Sequence, residues 1–299
     1  MHNEPHVQGR VKKKTISCNL CGSKVHNVIY ADELGDDIPS LDHNFSTQTR
    51  KTFQIVKCKQ CSLVFTNPMP MLSELYYDTI DRVYVKSSKQ RIKTAELTID
   101  RIRRLKPSGK LLDIGCSTGI LLDAAAQHFE VAGIETSRWA RDEAGKRHLV
   151  MDLPLSKLNM KSEYDVVTLF GVIEHFEDPK RELTLMYEAL RPGGLLVIYT
   201  GDVNSWLARM LGKKWWWYQG MHTYYFSRQT CVSLLRSCGF DVARVEKHSL
   251  YFQVRSLGTS LRRYRIGAVL KPIFSVPWVG DIMVKLSLSG EMLIYAVKR

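Results

Sequence analysis

Leu111-Leu-Asp113-Ile-Gly115-Cys116-Ser-Thr-Gly119, followed by Val131-Ala-Gly-Ile-Glu135, decides how this chain is read. An apolar strand runs into a tight turn of the form Asp113-x-Gly115-x-x-x-Gly119. A helix follows from Ile120 to Phe129, and a second strand ends in the acid Glu135. Glycine lets the turn bring its backbone close to a ligand, and a carboxylate ending the next strand suits a ribose diol at the mouth of a parallel sheet. The pattern describes a nucleoside-binding crevice. It lacks the Gly-x-Gly-x-x-Gly that seats a pyrophosphate on a helix N-terminus, and it puts Asp113 beside the site. That carboxylate would repel NAD or ATP. It suits a cationic sulfonium with a free amino group, the chemistry of S-adenosylmethionine.

Outward from the crevice, strand and helix alternate: Arg138 to Arg147 as helix, a weak strand around Val150, and a clear strand from Tyr164 to Phe170. A helix from Pro179 to Leu190, the Arg191-Pro-Gly-Gly194 turn and a strand from Leu195 to Thr200 come next. Such alternation predicts a doubly wound α/β sheet, mostly parallel and covered on both faces. Ser227 reads as the N-cap of a helix closing at Cys238 with Gly239 as its C-terminal cap, and 240–247 and 292–297 supply the last strands. Residues 88–105 read as an amphipathic helix lying on the sheet before its first strand.

Upstream, Cys18-Asn-Leu-Cys21-Gly22 and Cys58-Lys-Gln-Cys61-Ser62 form two Cys-x-x-Cys knuckles. Four thiolates can then converge tetrahedrally, with a small residue after each pair making room for backbone N–H groups to face sulfur. This is a zinc ribbon, its arms separated by an acidic excursion from Asp32 to Asp42. Four thiolates leave no open coordination position, so the Zn2+ would be structural. Two copies of the motif speak against a redox role. We expect the ribbon and a connecting helix in 1–84 and the main domain in 85–299, with a lid at 201–226 and a basic insertion at 250–285.

The 299 residues, 44% hydrophobic, can bury a full α/β core. No run approaches a membrane span, and Met1 to Lys14 lacks a signal peptide's apolar core, so the cytoplasm is the expected compartment. The formal charge is +13, with the basic excess gathered in 86–110 and between Lys247 and Asp281. Each patch suits phosphates, an anionic membrane surface or RNA, and equally a solvated face.

With these residues in hand, the chain resembles class I SAM-dependent methyltransferases. Leu-Asp-Ile-Gly-Cys-x-x-Gly, Glu135, Tyr164-Asp-Val-Val, Val172-Ile-Glu-His-Phe-Glu-Asp-Pro179, Leu190-Arg-Pro-Gly-Gly194, and Tyr225-Phe-Ser through to Gly239-Phe240 carry the resemblance. The core is similar to ubiquinone-pathway O-methyltransferases. The ribbon followed by Phe65-Thr-Asn-Pro resembles ribbon-bearing methyltransferases of surface-polysaccharide and sugar pathways. The resemblance implies a seven-stranded, Rossmann-like sheet whose last strand is antiparallel. It also implies that Asp113, Gly115, Cys116 and Gly119 frame the methionine portion, that Glu135 and Thr136 hold the ribose, and that Asp152 and Leu153 meet the adenine edge. Phe170 and Gly171 then flank the reacting methyl. Asp152 reads equally as a solvated loop acid. Where ubiquinone-type enzymes have Glu-Val-Ile-Glu-His, this chain has Gly171-Val-Ile-Glu174-His175, which speaks against borrowing their divalent-ion site and makes Glu174 a capping or buttressing group.

A hydroxyl or acidic-carbon acceptor needs a base, and His175 and His222 are the candidates, each weighed against a purely structural role. The run Trp215-Trp-Trp217 beside Lys213 and Lys214 can stack on sugar rings, clamp a nucleobase, dip into a membrane interface, or pack on the enzyme itself. The expected acceptor is a small molecule or glycan, such as a lipid- or nucleotide-linked sugar, at or near the cytoplasmic membrane face. An RNA methyltransferase with the ribbon as its RNA grip and a non-catalytic SAM-binding protein are the alternatives.

Overall fold

The computed structural model describes residues 10–41, 50–80, 88–254, 280–287 and 289–299. Its main sheet has seven strands: β1 (Gly109–Ile114), β2 (Phe129–Ile134), β3 (Leu149–Met151), β4 (Tyr164–Phe170), β5 (Leu190–Gly201), β6 (Phe240–Lys247) and β7 (Glu291–Lys298). They lie in the order β6-β7-β5-β4-β1-β2-β3. The ladders joining β3, β2, β1, β4 and β5 are all parallel, and β7 runs antiparallel to both β5 and β6. This is the expected Rossmann-like sheet with an antiparallel last strand.

Successive residues on the central strands feed opposite cores, as a parallel sheet covered on both faces requires. Leu112, Val167 and Leu196 pack with Leu183, Met186, Leu234 and Leu235 on one face. Leu111, Val166 and Val197 pack with Ile99, Ile102 and Leu122 on the other. The helix Ser88–Arg103 therefore lies on the sheet as its apolar spacing predicts, burying Ala95, Ile99 and Ile102. The helix Arg228–Ser237 starts at Ser227, whose hydroxyl accepts from Thr230 N while Thr230 answers the Ser227 N–H.

Three boundaries differ from expectation. The helix after the glycine turn is short, Ile120–Ala125, because Phe129 is buried as the first residue of β2. The Arg191-Pro-Gly-Gly194 turn is absorbed into β5, where the register against β4 shifts between Leu190 and Leu195. The connecting helix expected in 1–84 is, among the described residues, a single 3-10 turn, Ser73–Tyr76.

The ribbon sheet holds a surprise. Its order runs from Tyr224–Tyr225 through Val64–Thr66 and Ile55–Cys58 to His26–Tyr30. One of four strands thus comes from the end of the 201–226 segment expected as a lid, pairing antiparallel with Tyr224 opposite Phe65 and Tyr225 opposite Val64. Asn19, inside the first knuckle, docks on the helix Pro179–Ala189: its Nδ2 donates to Asp178 at 2.7 Å and its Oδ1 accepts from Lys180 N at 2.9 Å.

The basic insertion enters through Leu250–Gln253, paired with Met283–Leu286; its body, 255–279, lies outside the described residues. No helix among the described residues is long and apolar enough to cross a membrane.

Candidate active site

Gly115 sits at φ +71°, and a Cβ there would run into Val172. Gly119, at φ +83°, would bring a Cβ to 3.1 Å from Ala144. Both positions therefore call for glycine, on backbone angle and on space. The turn is pinned to β2 by hydrogen bonds from Gly115 N and Cys116 N to Ile134 O, at 2.8 and 3.1 Å. Cys116 turns its side chain inward, against Gly133 and Leu122, and burial pushes its thiol pKa up. Only its backbone faces the crevice.

Glu135, at the tip of β2, accepts from Ser117 N at 2.7 Å and from Ser137 N at 2.8 Å. The carboxylate thus fixes the turn opposite it, and each oxygen has a second lone pair for a diol. Burial raises its pKa against those bonds and the charge of Arg141. Asp113 is 3% exposed, and Thr168 Oγ1 donates to it at 2.7 Å. Burial lifts its pKa to about 7, with Thr168 opposing and Glu135 adding repulsion. Two carboxyl groups thus share the crevice, and the donor set suits a cationic nucleoside.

Thr136 is exposed, and its carbonyl accepts from Arg141 at 3.3 Å. Arg141 also pairs with Asp152 at 2.5 Å, so Asp152 is neither loose nor buried. Leu153, which like Asp152 lies just past β3, is 46% exposed. A strap that sequence reasoning missed crosses here: Arg138 N donates to Tyr77 O at 2.9 Å, Ser137 Oγ donates to Thr79 O at 2.7 Å, and the Arg138 guanidinium lies 4.8 Å from the Tyr77 ring. The segment joining ribbon and main sheet therefore lies against the crevice.

At the tip of β4, Phe170 stacks on Tyr199 with ring centroids 6.1 Å apart. Gly171, at φ +71°, donates to Tyr199 O at 3.0 Å. Glu174 is 1% exposed, and Thr200 Oγ1 donates to it at 2.9 Å. Burial raises its pKa to about 7, aided by Glu291 and opposed by Thr200. The buttressing role fits its backbone too, since Thr223 donates twice to Glu174 O, at 2.8 and 3.0 Å.

The two candidate bases meet. His175 and His222 lie 4.8 Å apart, ring to ring, in an edge-on arrangement. His222 Nδ1 is 2.6 Å from Trp217 O, and His175 Nδ1 is 3.1 Å from Met221 O. A carbonyl only accepts, so both Nδ1 atoms carry the proton and the basic lone pair falls on Nε2. Tyr76, from the 3-10 turn Ser73–Tyr76, braces the pair: its hydroxyl donates to Met221 O at 3.2 Å and lies 3.0 Å from His175 Nδ1. Glu174, His175 and His222 bring ligand-capable atoms within 4.8 Å of one another. That trio is assembled from two distant segments, and only Glu174-His175 shows as a motif.

The tryptophan run packs inward. Trp215 is 1% and Trp217 8% exposed, and Trp215 meets Tyr218 edge-on at 5.3 Å. In the ribbon, Cys18 and Cys61 Sγ lie 3.4 Å apart and Cys21 and Cys58 Sγ 3.6 Å. Tetrahedral thiolates at about 2.3 Å from zinc lie at nearly that spacing from one another. Backbone N–H groups of Leu20 and Cys21 face Cys18 sulfur, and those of Gln60 and Cys61 face Cys58, so the cluster fits the ion.

Residues 88–245 match the family described as Methyltransferase domain. A ubiquinone biosynthesis O-methyltransferase from Cereibacter sphaeroides is 30% identical over 168 residues, covering 51% of this chain and 67% of that protein. Its mitochondrial counterpart from Schizosaccharomyces pombe is 33% identical over 114 residues, covering 34% of this chain and 41% of that protein. A SAM dependent methyltransferase from Archaeoglobus fulgidus shares the fold at a TM-score of 0.50 and 18% identity, covering 73% of this chain and 100% of that one. The family match runs from the helix Ser88–Arg103 into β6, encloses the whole crevice and takes in more than half of the chain, which therefore belongs to this family and is a class I S-adenosylmethionine-dependent methyltransferase.

Proposed function

We propose that the chain methylates a hydroxyl, or a carbon made acidic beside one, on a small sugar-like acceptor. The observation that carries this is the matched pair of imidazoles, each with its Nδ1 proton committed to a carbonyl and its lone pair on Nε2. Transfer to a neutral amine needs no base before attack. A hydroxyl or carbon acid does, and two oriented imidazoles supply one. The O-methyltransferase names of the relatives agree with oxygen as the acceptor atom.

Asp113 and the backbone of Gly115, Cys116 and Gly119 would hold the methionine end of SAM. Glu135 and Thr136 would hold its ribose, Asp152 and Leu153 the adenine edge, and Phe170 and Gly171 the methyl region. Bound there, SAM supplies an activated methyl on a good leaving group. The protein's contribution is alignment, worth up to about 7–11 kcal/mol in favourable cases, together with proton removal by His222, oriented by Trp217 and flanked by His175. The four cysteines hold a structural Zn2+.

The basic excess of the chain favours an acceptor carrying phosphate, such as a nucleotide- or lipid-linked sugar. The strand that the lid lends to the ribbon sheet favours a positioning role for the ribbon over an RNA grip. Radiolabelled methyl transfer from SAM into fractionated extract tests the proposal, with label expected in sugar-bearing small molecules or glycolipid. Label confined to RNA would replace it with the RNA alternative. SAM binding with no label in any fraction would mark a non-catalytic protein.

A further inference from the structure

Under the tryptophan run lies a group of buried polar atoms that methyl transfer leaves unused. β7 opens with Glu291, in register with Gly201 at the end of β5. Its side chain is buried; Oε1 accepts from Trp216 Nε1 at 3.0 Å, and Oε2 has no hydrogen-bond partner. Two indole N–H groups beside it are also without an acceptor, those of Trp215 and Trp217. The first lies 3.3 Å from where a Cβ on Gly290 would stand, and the second fills the place of a side chain on Gly201. Both therefore crowd the two backbone segments that flank Glu291.

Tyr199 ties this corner to the reacting end. Its ring stacks on Phe170, meets Trp217 at 5.8 Å and His248 at 4.7 Å, and its hydroxyl faces Glu291. His248 is 2% exposed, and its Nδ1 has no partner. The corner thus contains orphaned acceptors and orphaned donors side by side. A buried polar group left unpaired carries its full desolvation cost, and native interiors hold few such groups. One functional group answers both kinds, since a hydroxyl donates and accepts. An ammonium would satisfy Glu291 and leave the indoles unmet; a carboxylate would meet the indoles and be repelled by Glu291.

We propose that Glu291, Trp215 and Trp217 form an acceptor-recognition subsite, in which Glu291 accepts from one hydroxyl of a polyhydroxylated ring and the indoles donate to its oxygens. Tyr199 carries the ring toward Phe170, and Glu291 is the specificity-determining residue. The inference rests on the sugar-like acceptor proposed above and names how it is held.

The test uses the full chain, 15N-labelled at tryptophan and saturated with S-adenosylhomocysteine, titrated with D-glucose and myo-inositol, and separately with ethylammonium and acetate. Trp215→Phe and Trp217→Phe assign the indole signals. Both polyols are expected to move the two indole N–H resonances, and the amine and acid are expected to leave them in place. Glu291→Gln is expected to weaken polyol binding at least tenfold with S-adenosylhomocysteine affinity unchanged by calorimetry. Should that variant fail to fold, Tyr199→Phe keeps the ring, removes the hydroxyl facing Glu291, and is expected to weaken polyol binding in the same direction. Indoles that ignore both polyols, that respond to ethylammonium instead, or that titrate identically in a folded Glu291→Gln would overturn the proposal while leaving the methyltransferase intact. Loss of S-adenosylhomocysteine binding in the wild-type chain would strike the cofactor site instead.

Discussion

The cofactor side and the acceptor side of this sheet are built by opposite strategies. Asp113, Gly115, Gly119 and Glu135 come from one strand-turn-helix-strand unit whose turn is pinned by partners within about two dozen residues, with Thr168 on the adjacent strand reaching Asp113 as the long-range exception. The acceptor side gathers Tyr76, His175, Tyr199, His222, His248 and Glu291 from the linker, four stretches of the main domain and β7. Local geometry can therefore preserve the first without the second. The ribbon belongs to the second: Thr66 N donates to Thr223 O at 2.8 Å, one residue beyond His222, and Thr223 is bonded onward to Glu174.

Four perturbations break or sharpen that contrast. His222→Gln is expected to lower kcat by about 10²–10⁴-fold, the usual worth of a positioned base. Calorimetric SAM affinity should stay put, and equal turnover would remove His222 from the chemistry. Zinc removal, or Cys58→Ser, should release the metal measured by elemental analysis at one per chain. It should cost roughly tenfold or more in turnover, because the strand beside His222 loses its partner sheet, and leave SAM affinity within a few fold. Parallel loss of cofactor binding would show that the two sides are one unit.

Conversely, Asp113→Ala and Glu135→Ala should each weaken SAM binding about tenfold, the equivalent of ~1.4 kcal/mol, with the ribbon metal retained. The smallest effect is a pH dependence. In the free protein burial holds the Asp113 pKa at about 7, while a bound cation demands the ionised form. Binding then releases a proton, so SAM affinity should fall as pH drops below about 7, by at most about tenfold per pH unit, and be flat above it. Asp113→Asn should abolish the slope in calorimetry run on either side of that value.

The same contrast governs what the sequence could tell. The crevice was legible because its glycines answer to backbone angles and its acid to a fixed strand spacing. The ribbon was legible because four sulfurs at motif spacing have few other uses. The helix start at Ser227 carried its own cap. By contrast, Glu291 reads as an ordinary strand acid until Trp216 is seen to hold it. Tyr76 lies 99 positions from the histidine it braces. The strand Tyr224–Tyr225 has only two residues, too few for any period to register. Tertiary pairing, invisible to local pattern, decided each of these. The tryptophan run gave three outward uses and one inward one, and burial favours the inward one.

The position of β7 has a consequence for how the chain is made. The strand sits between β5 and β6, yet it is synthesised roughly 90 residues after β5 ends at Gly201. At translation rates of about 5–20 residues per second, the edge of β5 waits on the order of 5–20 s for its neighbour. A nascent chain can thus close its nucleoside crevice early while the far half of the sheet stays open, a window in which chaperone binding or mispairing of an unprotected edge competes with completion. Because Glu291 arrives on that same strand, the molecule gains its means of choosing an acceptor only when its sheet is sealed.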